Sequence, residues 1–352
     1  MLDTKYDTSV AFGIKKMILG IESSCDEFAV AILDNKQVLA SVIASQIEQH
    51  RCFGGVAPEV ASRLHTELAL PSVRQALKLA NLPANQLKAI AYTNRPGLIG
   101  SLLVGASFAK TLAWALNVPS IAVDHIQAHF YVNHLIYEIS YPYLALVVSG
   151  GHTALMVVKN FTDFEVIGST IDDACGECYD KIAKHYGWGF PGGLVIDQLA
   201  ASGDDKAFNF PFANLHKGNH RYDVSYSGLK NAVINQLELF RVKASTTEAD
   251  IAASFQKAAI GQLMAKIKKA LADYNLDKIV AGGGVVANSL LRTKLKELKG
   301  VTSYYPSLKL CGDNGEMIAF LGQELIATGE VSPLNEKVYS RVYQFKRGLK
   351  NP

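Results

Sequence analysis

Two stretches of this sequence share one form. Residues 17–33 run from an apolar segment through a small polar turn, Ser23-Ser24-Cys25-Asp26-Glu27, into a second apolar segment. Residues 144–158 repeat the arrangement around Ser149-Gly150-Gly151-His152-Thr153. Each reads as a β-hairpin. Their separation of about 125 residues predicts an internal duplication, each half built on the same supersecondary unit. Helical periodicity is expected over 61–80 with an interruption at Pro71, and over 101–116, 247–274 and 288–298. Strands are expected at 88–92, 120–123 and 278–280, between those helices. Such alternation makes this an α/β protein of two similar lobes. The junction is expected within 132–143, where Pro142 and several aromatic residues break the pattern. The first sixteen residues read as an N-terminal extension. The lobes are expected at 17–137 and 138–310, with a segment of about 311–345 returning to the first.

Composition narrows the class. With 49% hydrophobic and 19% charged residues, the chain has material for a sizeable core and is not a disordered protein. The 35 basic against 32 acidic residues give a net charge of +3, compatible with RNA contact without arguing for it. Five scattered cysteines do not make a disulfide framework. Only Cys175 and Cys178 have C-x-x-C spacing, and no second pair or nearby His completes a zinc site. The apolar runs, such as 144–148 and 102–104, are too short to span a bilayer. Residues 1–16 show no secretory-type leader, so a cytoplasmic location is expected. Basic clusters at 266–269 and 292–296 read as solvated helix faces, and a third lies at 341–350.

Three small-residue turns follow apolar strands: the two hairpin turns and Gly282-Gly283-Gly284. Backbone amides in such turns can converge on an anion because no Cβ blocks the approach. The third turn is expected to lead directly into a helix near Asn288, whose N-terminal dipole would support a phosphate or nucleoside. Two hairpin turns plus a glycine turn into a helix is the layout of the actin-like/sugar-kinase (ASKHA) fold, also used by heat-shock chaperone ATPases. In that duplicated two-lobe fold the nucleotide lies in an interlobe cleft.

The segment Asp124-His125-Ile126-Gln127-Ala128-His129 places two imidazoles at i and i+4. On a helix both would lie on one face and could chelate one metal. A third ligand must come from elsewhere, and Asp313, in Cys311-Gly312-Asp313-Asn314-Gly315-Glu316, has the most suitable local chemistry. A zincin protease would need a Glu directly after the first His to activate water. Ile126 stands there, so that reaction lacks its base.

Taken together, these segments resemble the tRNA N6-adenosine threonylcarbamoyltransferase family from Met17 to about Gly322. The motifs are ESSCDE at 22–27, GGVAPEVASRLH at 54–65, DHIQAH at 124–129, VSGGHTAL at 148–155 and DDACGECYDKIAK at 172–184. They continue with PGG at 191–193, SYSGLK at 225–230, GGGVVANSLLR at 282–292 and CGDNGEMIA at 311–319. The resemblance implies transfer of a threonylcarbamoyl group from threonylcarbamoyl-AMP to the exocyclic amine of adenosine 37 in tRNAs reading ANN codons. It implies one divalent metal per subunit, Fe2+ in first place and Zn2+ as the alternative, held by His125, His129 and Asp313. Val148, Ser149, Gly150, Gly151 and His152 match the loop that holds the mixed anhydride and phosphate. Asp180 and Asp197 match the carboxylates on the ribose, Gly193 would lie under that sugar, and Asn288 matches an adenylate contact. Glu27 and Asp26 are candidates for positioning the amine or taking its proton. Implied partners are tRNA, a paralogous actin-like subunit (TsaB-like) and a small P-loop ATPase (TsaE-like), with no membrane.

The chain departs from the family pattern at Phe28 (usually Thr), Arg95 (usually Gly), Leu194 (usually Pro) and the cysteines at 175 and 178 (usually alanine-like). Arg95 implies a rearranged loop if its position needs positive φ, and the cysteines read as small packing residues. A kinase or chaperone-like ATPase on the same fold is the first rival reading, for which magnesium alone would be bound. A non-catalytic scaffold paralogue is the second, and the presence of His125, His129 and Asp313 together argues against it.

Overall fold

The computed structural model describes residues 17–213, 215, 220–242 and 247–341. The N-terminal extension and all but the first residue of the basic segment 341–350 lie outside the described residues, as does the end of the returning segment. In chain order the first elements are β1 (Ile18–Glu22), β2 (Glu27–Asp34), β3 (Gln37–Ser45), α1 (Ile47–Arg51), α2 (Pro58–Leu79), β4 (Ala89–Arg95), α3 (Ile99–Leu116) and β5 (Ser120–Asp124). Next come α4 (His125–Tyr131), α5 (Asn133–Ile136), β6 (Tyr143–Val148), β7 (Thr153–Val158), β8 (Phe164–Ser169), α6 (Cys175–Tyr186) and α7 (Gly192–Ala200). The last are α8 (Ser227–Val242), α9 (Glu248–Asp273), β9 (Lys278–Gly282), α10 (Ser289–Lys296), β10 (Thr302–Tyr304) and α11 (Gly315–Ala327).

These elements form two compact units. One comprises residues 17–136 and 313–341, the other residues 137–312. Each holds a five-stranded sheet, and the two orders are the same pattern: β3-β2-β1-β4-β5 and β8-β7-β6-β9-β10. In both, two antiparallel strands occupy one side of the central strand, the nearer forming a hairpin with it, and two parallel strands the other. The two hairpins read from sequence are β1–β2 and β6–β7, paired from Ile18↔Leu33 to Glu22↔Ala29 and from Tyr143↔Val158 to Val148↔Thr153. Their central strands are buried on both faces, which explains continuous apolar runs in place of alternation.

In the first unit the core is Leu19, Ile21, Phe28, Val30, Ile90 and Tyr92 from the sheet, packed with Ala69, Val73 and Ala76 of α2 and Ala106, Ala109 and Ala113 of α3. The other face of that sheet takes α11, whose residues 315–323 are all buried. Close approach here depends on missing Cβ atoms. A Cβ on Gly20 would stand 2.4 Å from Ala319 N, and one on Gly315 2.3 Å from Ala31 N. In the second unit, α9 runs through the core with sixteen buried residues. Its start is fixed by Thr247, whose hydroxyl accepts from Asp250 N at 3.2 Å while the Asp250 carboxylate accepts from Thr247 N at 2.7 Å.

Several expectations need correction. Helix α2 does not break at Pro71 but continues through it. Pro71 lies on the exposed side, while Ala69, Ser72, Val73 and Ala76 keep the opposite side buried, so packing outweighs one lost backbone bond. Helix α3 is 18 residues long with mean hydropathy 1.4, enough by length and composition to cross a bilayer, contrary to the reading from short runs. Its buried small residues, Ala106, Ala109 and Ala113, pack with the sheet and α2, while Ile99, Leu103 and Trp114 are exposed. The third glycine turn does not lead straight into a helix. A 3-10 turn, Gly284–Ala287, intervenes before Asn288 caps α10 by accepting from Leu291 N at 3.0 Å. Lys266 is not solvated: it is buried and donates to the carbonyls of Leu215 and Arg221. Arg292 likewise donates to Val286 O at 2.7 Å and Pro306 O at 2.8 Å.

Candidate metal centre and nucleotide cavity

Strand β5 ends at Asp124, whose carboxylate accepts from Ile126 N at 2.9 Å and Gln127 N at 3.0 Å and so starts α4 at His125. One turn later comes His129. Asp313 lies at the re-entry of the chain into the first unit, directly before Asn314, the cap of α11. The three side chains converge: His125 Nε2 to His129 Nε2 is 3.1 Å, His129 Nε2 to Asp313 Oδ1 is 3.3 Å, and His125 Nε2 to Asp313 Oδ1 is 3.7 Å. Ligands at about 2.1 Å around a tetrahedral ion stand about 3.4 Å apart. The spacing therefore fits one shared metal ion, and these residues form a group that could hold it. Two imidazoles and one carboxylate, with further positions open, suit iron or zinc better than magnesium.

Beneath the imidazoles is a carboxylate that the sequence reading left without a role. Glu22, at the end of β1, has no exposure at all. Its Oε2 accepts from Thr93 Oγ1 at 2.6 Å and stands 3.0 Å from His125 Nδ1, and its Oε1 accepts from Ser24 N at 2.6 Å. A Glu closing an otherwise apolar, fully buried strand was the available signal. Burial alone would push His125 down, but the charges of Glu22 and Asp313 outweigh it and hold the imidazole at about 9. His129 goes the other way, lowered by burial and by its neighbour's charge. In the first turn, burial raises Asp26, and burial with the Asp313 charge holds Glu27 well above the usual carboxylate range.

The second unit contains a cavity of about 280 Å³. Gly150, Asp180, Gly193, Asp197 and Asn288 line it, five of the nine residues expected to bind substrate. Val148 does not: it is fully buried in β6. Ser149, Gly151 and His152 form the adjoining hairpin turn, with Ser149 N donating to His152 O at 2.8 Å and His152 N to Ser149 Oγ at 3.2 Å. The start of α6 presses on this turn, since a Cβ on Gly176 would meet Ser149 O at 2.7 Å. Gly283 has φ +101°, and a Cβ there would stand 2.4 Å from Val148 O, so only glycine fits. Gly193 has open space where a Cβ would go. Asp180 Oδ1 accepts from Gly192 N at 2.7 Å. Asp197 is more heavily engaged. Its Oδ1 takes Ser289 Oγ at 2.8 Å and Asn288 Nδ2 at 3.1 Å, while Asn288 Nδ2 also reaches the buried Gln256 at 2.8 Å.

The departures from the family pattern have local explanations. Phe28 is buried in the first unit's core, edge-on to His65 at 5.3 Å between ring centres. Arg95 is not among the residues with positive φ; it ends β4 and pairs with Asp124 Oδ2 at 3.4 Å, so no rearranged loop is needed. Leu194 is exposed at the cavity wall. Cys175 and Cys178 are fully buried packing residues, and burial pushes the Cys175 thiol up to about 12.

Comparison with known proteins agrees with this architecture. Component A of (R)-2-hydroxyglutaryl-CoA dehydratase from Acidaminococcus fermentans superposes with a TM-score of 0.53 at 16% identity, covering 89% of this chain and 99% of that one. HypF of T. kodakarensis gives 0.60 at 14% identity, covering 90% of this chain and 48% of that one. At these identities they establish the shared ASKHA fold alone. Sequence relatives reach further. A tRNA N6-adenosine threonylcarbamoyltransferase of Treponema denticola is 53% identical over 332 residues, 94% of this chain and 98% of its own. Its counterpart in Borrelia garinii subsp. bavariensis is 47% identical over 330 residues, 94% of this chain and 97% of its own. The family described as TsaD, tRNA N6-adenosine threonylcarbamoyltransferase, matches residues 37–320. The chain is a transferase of tRNA modification and belongs to the tRNA N6-adenosine threonylcarbamoyltransferase family.

Proposed function

We propose that the protein moves the threonylcarbamoyl group of threonylcarbamoyl-AMP onto the exocyclic amine of adenosine 37 in tRNAs reading ANN codons. The observation that carries the chemistry is the convergence of His125 Nε2, His129 Nε2 and Asp313 Oδ1 on one point, within 4.8 Å of each other. An ion held there, Fe2+ by preference, would supply Lewis-acid polarisation of the carbamoyl carbonyl and orient the threonyl carboxylate. The chain's residues do the rest. Asp180 accepts hydrogen bonds from the ribose hydroxyls, with Asp197 contributing through Oδ2, which carries only the Ser289 amide at 3.1 Å among the bonds described. Gly193 leaves room for the sugar, and Asn288 contacts the adenylate. The turn Ser149–His152, next to Val148, presents backbone amides to the phosphate.

In the transfer itself the adenosine amine attacks the carbamoyl carbon. A new N–C bond forms, the bond from that carbon to the phosphate oxygen breaks, and AMP leaves with the electron pair. The amine's proton passes to Glu27 or Asp26, whose raised affinity for protons suits them to receive it. A TsaB-like actin-fold subunit and a TsaE-like P-loop ATPase are the proposed partners in the cytoplasm. The test is reconstitution of the protein and both partners with Fe2+, threonylcarbamoyl-AMP and unmodified tRNA, scored by mass spectrometry of the nucleosides. Threonylcarbamoyladenosine should form and should disappear in His125→Ala and His129→Ala. Its absence from the complete wild-type mixture would refute the reading.

A further inference from the structure

We propose that Glu22 is the positioning residue of the metal centre: it holds the Nδ1 proton of His125, so that Nε2 presents its lone pair to the ion. The inference rests on the reading of His125, His129 and Asp313 as metal ligands, and it concerns a residue that touches none of the ion's positions.

The argument begins with the two faces of one imidazole. A neutral imidazole carries a proton on only one nitrogen. On the Nε2 side, His125 faces His129 Nε2 at 3.1 Å and Asp313 Oδ1 at 3.7 Å. With its proton on Nε2, His125 could donate to His129 Nε2 and close the site. With the proton on Nδ1, the Nε2 lone pair points at the Asp313 carboxylate and the His129 ring, and a cation is what that arrangement accommodates. Two side chains face Nδ1: Ser24 Oγ at 3.2 Å, a hydroxyl that can accept or donate, and Glu22, which decides between the two proton positions. Its Oε2 lies 3.0 Å from Nδ1, and a carboxylate can only accept there. The carboxylate is itself fixed, by Ser24 N on Oε1 at 2.6 Å and Thr93 Oγ1 on Oε2 at 2.6 Å. Burying such a charge is costly unless a partner compensates it, and Glu22 has no exposure. His129 has no equivalent device, since its Nδ1 is buried without a hydrogen-bond partner among the described residues. Carboxylates behind metal-binding imidazoles commonly change metal affinity by about 10–100-fold when removed.

Glu22→Gln gives the test its direction. The backbone amide of Ser24 still needs an acceptor, which keeps the new side-chain oxygen on that side. The new amide NH2 then faces His125 and donates to Nδ1, which moves the imidazole proton to Nε2. Long-range 15N–1H NMR of the metal-free protein, recorded above pH 9 where the His125 imidazole is neutral, should show its one proton at Nδ1 in wild type and at Nε2 in E22Q. Chelator competition with Fe2+ or Co2+ should show affinity about 10–100-fold lower in E22Q. Thr93→Val removes one bond to the carboxylate without touching the ring and should weaken binding by about 2–10-fold; it carries the test should E22Q fail to fold. Metal affinity unchanged in E22Q, or in T93V if E22Q does not fold, would overturn the assignment. So would a neutral wild-type His125 imidazole, above pH 9, with its single proton on Nε2. Wild-type protein that binds no metal at all would instead overturn the metal reading and this inference with it.

Discussion

Acid should destabilise this protein through His65, in the middle of α2, and the size of the effect follows from its surroundings. The imidazole is fully buried, edge-on to Phe28, with Nδ1 2.7 Å from Gln46 Nε2. The Gln46 oxygen is in turn 3.2 Å from His50 Nε2, so the Gln46 amide is oriented to donate and His65 Nδ1 must accept. Protonation would set two donors against each other in a fully buried site. Burial accordingly lowers His65 to about 4, whereas in the unfolded chain it titrates near its ordinary value of about 6.5. Between these values the unfolded state binds the extra proton, so stability is lost as pH falls through that window. The full loss is about 3 kcal/mol, of which about 2 kcal/mol falls between pH 7 and pH 5. Urea unfolding of wild type and His65→Asn at the two pH values isolates the term, because Asn places an oxygen near the Nδ1 position but does not titrate. His134, also lowered to about 4 by burial, contributes equally to both proteins and cancels. Wild type should lose about 2 kcal/mol more than the variant on going to pH 5. Equal losses, or an NMR titration placing His65 above 6, would refute the argument.

Asp180→Asn should weaken AMP binding by about 1–3 kcal/mol in equilibrium dialysis while leaving metal content unchanged. The new side-chain oxygen can keep the 2.7 Å bond from Gly192 N, so any loss reports the charge and not the local fold. Unchanged AMP affinity would remove Asp180 from the ribose. Cys175→Ala with Cys178→Ala should cost about 2 kcal/mol of stability, because both thiols are fully buried. Metal content and transfer should stay within about twofold, given that burial keeps the thiols protonated; loss of metal in that variant would expose a site at the C-x-x-C pair.

The duplication was legible because each central strand is an unbroken apolar run ending in a small-residue turn, and both signals are local. The imidazole pair was legible for the same reason, one helical turn being enough to place His125 above His129. What escaped was contact at long range. Glu22 meets His125 103 positions away, and no local pattern says which histidine a buried acid will face. Asp197 has the composition of a helix-surface acid until Ser289, 92 residues on, is folded against it. Lys266 reads as part of a charged stripe, yet its neighbours in space are carbonyls that the chain delivers from 45 and 51 residues earlier. Pro71 shows the reverse: the local rule that proline interrupts a helix yields to the burial of Ala69, Ser72, Val73 and Ala76 on the helix's opposite side.

The seating of α11 on the first sheet also sets a timetable for synthesis. Strands β1 to β5 leave the ribosome first, but the helix that covers their second face begins only at Gly315. Residues 137–312 must be translated in between, which at about 5–20 residues per second occupies roughly 10–35 s. During that interval the glycine and alanine surface around Gly20 and Ala31, shaped to accept a helix backbone at van der Waals distance, has nothing of its own chain to cover it. The amino-terminal half of the protein is thus the first made and the last finished, and a ribosome stalled before Gly315 would release a nascent chain with one side of its sheet bare.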